Sequence, residues 1–180
     1  SMLVEQTVRT ILDNQFAADW AFNKVLQNLL RERVSIKDSS SILESLSEGA
    51  AITRNPILLT EFVRQTLRRT LVKPLLNASG ELPVYFLDAG LEKSLEQAVE
   101  HGDQTSHLNL PPQVVSELME AARGATAQGQ TGWTLLTSAG ARFFVRQLLE
   151  ASHPQVAVVS HGEVPPATRV VSLGVLKGSR

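Results

Sequence analysis

Leu82-Pro-Val-Tyr-Phe-Leu87 is the stretch on which the reading of this chain turns. It is short, apolar and rich in β-formers, it follows the turn-forming Asn77-Ala-Ser-Gly80, and Asp88 stands directly after it. A run of that length between such neighbours reads as a strand, and an aspartate at its end is placed to cap a following helix. Leu91, Leu95, Ala98 and Val99 supply that helix with its inward face. Pro111-Pro112 opens another, carrying Val114, Val115, Leu118, Met119 and Ala122 and fading through residues 124–129. Residues 133–137 read as a buried strand, and Ser138 as the cap of a helix with Ala141, Phe144, Val145, Leu148 and Leu149 inward. His153-Pro154 ends that helix, and residues 156–160 and 170–176 complete the set of strands. Strands alternating with helices predict a layered α/β domain over residues 81–180, with a short, partly parallel sheet and right-handed crossovers.

Upstream of the turn the pattern is helical throughout. Val8, Ile11, Leu12 and Phe16 begin it, and Val25, Leu26, Leu29 and Leu30 continue it to Val34. Ser35-Ile-Lys-Asp38 reads as a capping signature with Ser35 as the cap, and the helix beyond buries Ile42, Leu43 and Leu46 before stopping near Gly49. Asn55-Pro56 is a second start, because proline fits the first helical position, where its missing N–H leaves nothing unpaired. Leu59, Val63, Leu67 and Leu71 fall four apart beside Phe62, with Glu61, Arg64, Gln65 and Arg68 on the opposite side, and Pro74 ends the run. The expected fold is mixed α+β and α/β: a small helical domain over residues 1–76 and an α/β domain over 81–180.

Composition narrows the function. Hydrophobic residues form 43% of the 180 positions and charged ones 19%, an ordinary globular balance. Seventeen bases against 18 acids leave a net charge of −1, which is not the basic field of a nucleic-acid binder. Cysteine is absent, excluding disulfides, thiolate nucleophiles and zinc–thiolate sites. No apolar run approaches the length of about 18 residues that spans a bilayer, and Ser1-Met2-Leu3 lacks a signal-peptide pattern. A serine directly before the methionine suggests a piece of a longer chain.

The residue sets that could carry chemistry fall short of it. His101, His107, His153 and His161 match no common metal spacing, and His101 and His153 are expected at helix C-termini. Ser160 and His161 are adjacent on an extended segment near Glu163 and so point to opposite sides. No Gly-x-Ser-x-Gly elbow is present, and the glycines of residues 124–132 lack the lysine of a phosphate loop. Catalytic, metal and cofactor sites are therefore expected to be absent. The charged side of residues 56–72, with Arg54, reads either as a solvated face or as a contact with another subunit.

Several stretches together resemble one family. Val25-Leu-Gln-Asn-Leu-Leu30 leading into Val34-Ser-Ile-Lys-Asp38, then Ile42-Leu-Glu-Ser-Leu46, is similar to the leucine-rich helix and turn of the type III secretion export-gate family, with Lys37 for its usual arginine. Asn55-Pro-Ile-Leu-Leu-Thr-Glu-Phe-Val-Arg64 and Val158-Val-Ser-His-Gly-Glu-Val-Pro-Pro166 resemble two further elements in the same order. Leu136-Thr-Ser138, Arg142-Phe-Phe-Val-Arg146 and His161-Gly162 look closer to the injectisome than to the flagellar branch.

The resemblance implies a polytopic inner-membrane protein whose C-terminal cytoplasmic domain has four subdomains and forms a nine-membered ring. This chain would hold the third, ring-building subdomain and the fourth, α/β one, with any membrane attachment outside it; residues 1–20 match less closely. Implied partners are other copies of itself, chaperone–substrate complexes, and gatekeeper and other export-apparatus proteins. The main docking dimple is partly built from the second subdomain, so its residues have no counterparts here. The resemblance promotes Arg54, Glu61, Arg64 and Arg68 to a candidate oligomer interface, and Glu163, Pro165 and Pro166 to a candidate partner surface or hinge. An α/β hydrolase fused to a helical domain and a generic helical adaptor are the competing readings.

Overall fold

The computed structural model describes Met2, residues 20–129 and residues 132–178; the pattern at Val8, Ile11, Leu12 and Phe16 lies outside these. The chain divides into two compact units. One holds the residues up to Leu71 together with His101–Ser106, and the other holds Val72–Glu100 and the residues from His107 onward.

In the first unit α1 (Trp20–Arg31) and α2 (Ser39–Ala50) both pack on α3 (Pro56–Thr66), with the short α4 (Arg68–Val72) following. Phe22, Val25, Leu29, Ile42, Leu46, Leu59, Val63 and Leu67 are all buried, at the helical spacing that the sequence shows. Each side chain so buried contributes about 1.5–3 kcal/mol relative to exposure. Two side-chain hydrogen bonds pin the helices in register: Asn28 Nδ2 donates to Thr60 Oγ1 at 3.1 Å, and Ser45 and Thr66 join at 3.0 Å. Gly49 allows the close approach of α2 and α3, since a Cβ there would stand 2.5 Å from Leu59 Cδ1.

The helix ends follow local chemistry. Helix α1 closes by a six-residue wrap in which Val34 N donates to Leu29 O at 2.9 Å and Arg33 N to Leu30 O at 3.0 Å. The wrap requires left-handed backbone at Arg33, whose φ is 61°. The cap of α2 is Asp38, which accepts from Ser41 N at 3.2 Å, and not Ser35. Ser35 Oγ accepts instead from Lys37 N, in a turn that lies three residues before the cap position. Asn55 caps α3 with Pro56 at its first turn.

The second unit is built on a four-stranded sheet in the order β5-β4-β1-β6. Its strands are β1 (Leu82–Leu87), β4 (Thr134–Thr137), β5 (Ala157–Ser160) and β6 (Val170–Leu176), and every neighbouring pair is parallel. Pro83 is tolerated inside β1 because its nitrogen lies on the β4 side, where pairing begins only at Tyr85. Helices α5 (Ala89–Gln97), α6 (Pro112–Thr126) and α7 (Ala139–Leu149) cover the core of Leu91, Leu95, Leu118, Leu135, Val145, Leu149 and Val158. Trp133 meets Tyr85 edge-on at 5.4 Å between ring centroids and donates from Nε1 to Thr126 Oγ1 at 3.1 Å.

Asp88 caps α5 as its position implies, accepting from Gly90 N and Leu91 N at 3.1 Å each. The helix ends at Gln97, so Ala98 and Val99 do not extend its inward face. Val99–His101 instead forms β2, which turns at Gly102-Asp103 into β3 (Ser106–Leu108). This overturns the placement of His101 at a helix C-terminus. Ser138 precedes α7 but makes no side-chain cap; its N–H is held by Glu92 Oε2 at 3.2 Å and its Oγ is buried without a partner. Helix α6 runs on through Gly124 to Thr126 rather than fading there.

Candidate functional site

The charged side of α3 is not a uniformly solvated face. Arg64 is buried, at 2% exposure. Its guanidinium faces two carboxylates, Nη1 lying 3.7 Å from Glu32 Oε1 and Nε 3.7 Å from Glu61 Oε2. Glu32 arrives from just beyond α1 and Glu61 from one turn back on α3, so one cation joins two elements of the helical unit. Arg54 is exposed, and Glu61 and Arg68 are half-buried. Of the four candidate interface residues, Arg64 and Glu61 are thus brought together, and Arg64 points inward.

Asn55 organises the second feature. It is fully buried, and its Oδ1 accepts from Ile57 N at 3.0 Å and Leu58 N at 3.5 Å, satisfying the start of α3. Its Nδ2 donates to Gly102 O at 2.9 Å and to Ser106 Oγ at 2.8 Å. Ser106 Oγ also meets His101 Nδ1 at 2.6 Å, tying the loop of residues 101–106 to the helix start. Between this loop and the end of α2 lies an open cleft of about 560 Å³, with Ile52, Thr53, Arg54, Leu58, His101 and Asp103 among its lining. The sequence identified Asn55 only as a cap. Its second role, linking residues about fifty positions apart, left no local signal.

In the second unit Glu163 is buried at 1% exposure and Arg142 is fully buried. Arg142 Nη1 donates to Val158 O at 3.1 Å, and its Nε lies 4.0 Å from Glu163 Oε1. The same Oε1 accepts from Ser160 N at 2.9 Å, and Ser160 Oγ in turn accepts from the backbone N–H of Glu163. Ser160 is therefore committed to closing a turn, with no geometry for a nucleophile. Pro165 is buried and Pro166 exposed. This segment, residues 161–169, carries the chain from β5 at one edge of the sheet to β6 at the other, a passage between parallel strands that a helix usually makes. Glu163 and Pro165 accordingly face inward rather than out to a partner.

Along the chain Arg142 and Arg146 stand in the motif that resembles the injectisome branch, with no sign of what they bond. Four apart, they lie on the side of α7 that meets β5, and Arg146 Nη2 reaches Pro154 O at 3.4 Å while its Nη1 is buried without a partner. Phe143, Phe144 and Val145 between the two arginines, with Leu148 and Leu149 beyond, are the available sign of burial. Among the described residues no cluster of three or more histidines or acids could hold a metal ion. Among the described residues no helix is long and apolar enough to cross a membrane.

The model of the FHIPEP family matches residues 3–169. The chain belongs to that family. Its relatives include the flagellar biosynthesis protein FlhA of Caulobacter vibrioides, 35% identical over 156 residues, covering 85% of this chain and 22% of the relative. The solved CdsV protein of Chlamydia pneumoniae superposes with a TM-score of 0.84 at 29% identity, over 97% of this chain and 52% of that one. The cytosolic domain of EscV, described as nonameric and from the type III secretion system, shares the fold with a TM-score of 0.77 at 24% identity, over 97% of this chain and 52% of its own. The chain thus spans about half the length of these solved structures and about a fifth of that of the curated relative. Flagellar and type III secretion members both stand among them, and the export-gate resemblance read in the motifs is that of this family.

Proposed function

We propose that this chain is the ring-building and C-terminal part of the cytoplasmic domain of an export gate for type III protein secretion. In this reading the helical unit assembles with copies of itself into a nine-membered ring, and the α/β unit helps to receive chaperone–substrate complexes and gatekeeper proteins. The observation that carries it is the family match over nearly the whole chain, with support from the fold shared with a nonameric relative. The gate acts by binding and assembly, at the cytoplasmic face of an inner membrane that other parts of the protein would cross.

A closed ring needs one patch to meet a different patch on the next copy. Arg54 and Arg68 are the proposed charged contacts, with Glu61 beside them and Arg64 holding Glu61 in place. Glu163 and Pro165 serve the second unit by fixing residues 161–169, which leaves Pro166 as the outward part of that proposed surface. The test is the mass, by light scattering, of the full cytoplasmic domain carrying Arg54→Glu and Arg68→Glu. A shift from ring to monomer at equal concentration is expected. Unchanged rings would remove these residues from the interface, and a domain that never forms rings in its unaltered form would overturn the assembly reading.

A further inference from the structure

The two edges of the four-stranded sheet are treated differently, and the difference points to a docking site. In a parallel ladder alternate residues turn their N–H and C=O toward a given neighbour. Ala157 N donates to Trp133 O at 3.1 Å, so Val158 and Ser160 turn theirs outward from β5. One outward group of each is engaged by a buried side chain: Val158 O accepts from Arg142 Nη1 at 3.1 Å and Ser160 N donates to Glu163 Oε1 at 2.9 Å. The buried Arg142–Glu163 pair thus closes the β5 edge against any added strand, as natural sheets commonly require.

At the other edge the same parity applies. Leu82 N donates to Arg169 O at 2.8 Å and Asp88 N to Leu176 O at 2.9 Å, which turns Val170, Ser172 and Val175 outward from β6. Among the described residues no side chain is bonded across these groups as Arg142 and Glu163 are across β5. Leu173 and Val175 are exposed at 44% and 49%, and the register break opposite Val84 and Tyr85 falls at Leu173. Charge then selects the occupant. Residues 164–178 contain no acid, while Arg169 stands at the start of β6 and Lys177 just past its end. Arg169 is 81% exposed, and its pair with Glu81 at 3.4 Å is open to exchange in solvent. Two β6 strands side by side would bring cation to cation in either direction, which disfavours a second copy of this chain.

We propose that the outer edge of β6 is a strand-addition site for an extended, alternately apolar segment of a partner polypeptide with acidic flanks. Backbone hydrogen bonds to Val170, Ser172 and Val175 supply the attachment, Leu173 and Val175 the apolar contact, and Arg169 and Lys177 the direction of charge.

The probe is a synthetic peptide, blocked at both ends, of sequence Glu-Glu-Val-Thr-Val-Ser-Val-Glu-Glu, with its lysine-flanked counterpart as control. Amide hydrogen exchange is read residue by residue on the 180-residue chain. Saturating peptide should slow exchange at Val170, Ser172 and Val175 by about tenfold or more and leave Val158 and Ser160 unchanged. Val175→Asp, whose side chain lies outside the core, should reduce peptide affinity at least tenfold while exchange in β1 stays as before. Equal protection by the lysine-flanked peptide, protection at the β5 edge, or no protection at β6 would overturn the proposal. So would concentration-dependent dimers that protect β6 without peptide.

Discussion

Arg64 Nη1 and Glu32 Oε1 face each other at 3.7 Å with side chains only 3% and 8% exposed, linking α3 to the end of α1. An ion pair this deep differs from the surface pairs that a solvated helix face carries. Its parts are hard to remove singly, because the remaining charge stays in a poorly hydrated place. Arg64→Met should lower unfolding free energy by about 3 kcal/mol, and Arg64→Glu by more, since it sets a third carboxylate beside Glu32 and Glu61. Urea unfolding followed by circular dichroism checks this. A loss below about 1 kcal/mol for Arg64→Met would return the pair to the class of surface contacts.

Asn55 is expected to matter beyond its cap. Asn55→Ala removes a cap, typically about 1 kcal/mol, and also leaves Gly102 O and Ser106 Oγ short of a donor. The expected cost is about 2–4 kcal/mol. Asn55→Asp keeps the cap but sets a buried carboxylate oxygen against Gly102 O in place of the Nδ2 donor, so it should cost at least as much. Hydrogen exchange at residues 101–106 distinguishes the roles: both variants should speed it, and a pure cap would leave Asn55→Asp like the parent.

Arg33 offers the opposite sign. Its φ of 61° costs an L-residue about 1 kcal/mol that glycine does not incur. Arg33→Gly should therefore raise the melting temperature by a few degrees, measured by calorimetry. A decrease would show that the Arg33 side chain contributes more than its backbone conformation costs.

Asp38 sets a pH dependence. Hydrogen bonds from the side chain and backbone of Ser41 hold its carboxyl below the usual value of 3.8. A carboxyl whose folded value is depressed adds stability that is fully present above its unfolded value and is lost as pH falls through the folded one. Fraying of α2 should thus increase as pH drops below about 4, and Asp38→Asn should flatten this part of the profile. The amide shift of Ser41 against pH reports it directly.

Much of the fold is legible because its causes are local. Apolar residues four apart give the helix stripes, Asp88 and Asn55 give two starts, and a six-residue β-rich run between turn residues gives β1. Errors arise where local signals tie. Ser35 and Asp38 are both plausible caps, and which residue sits one step before the first helical turn decides between them. Val99 fits a helix stripe equally well, but its β-branch and the Gly102-Asp103 turn favour the hairpin.

The sequence by itself determined the family, the two kinds of architecture and the lack of the spacings that chemistry needs, because motifs and periodicity are properties of neighbours along the chain. Only the tertiary structure decided which charges are surface and which are core. Along the chain Arg64 and Glu163 read as candidate contacts with a partner and Arg142 as part of a family-like motif, none of them as core. Each is buried because its partner comes from a distant segment: Glu32 for Arg64, and Glu163 for Arg142. A charge can be held away from water only where folding delivers its counter-charge and hydrogen-bond partners. That delivery also decides the sheet edges, one closed by the Arg142–Glu163 pair and the other left with Val170, Ser172 and Val175 turned outward.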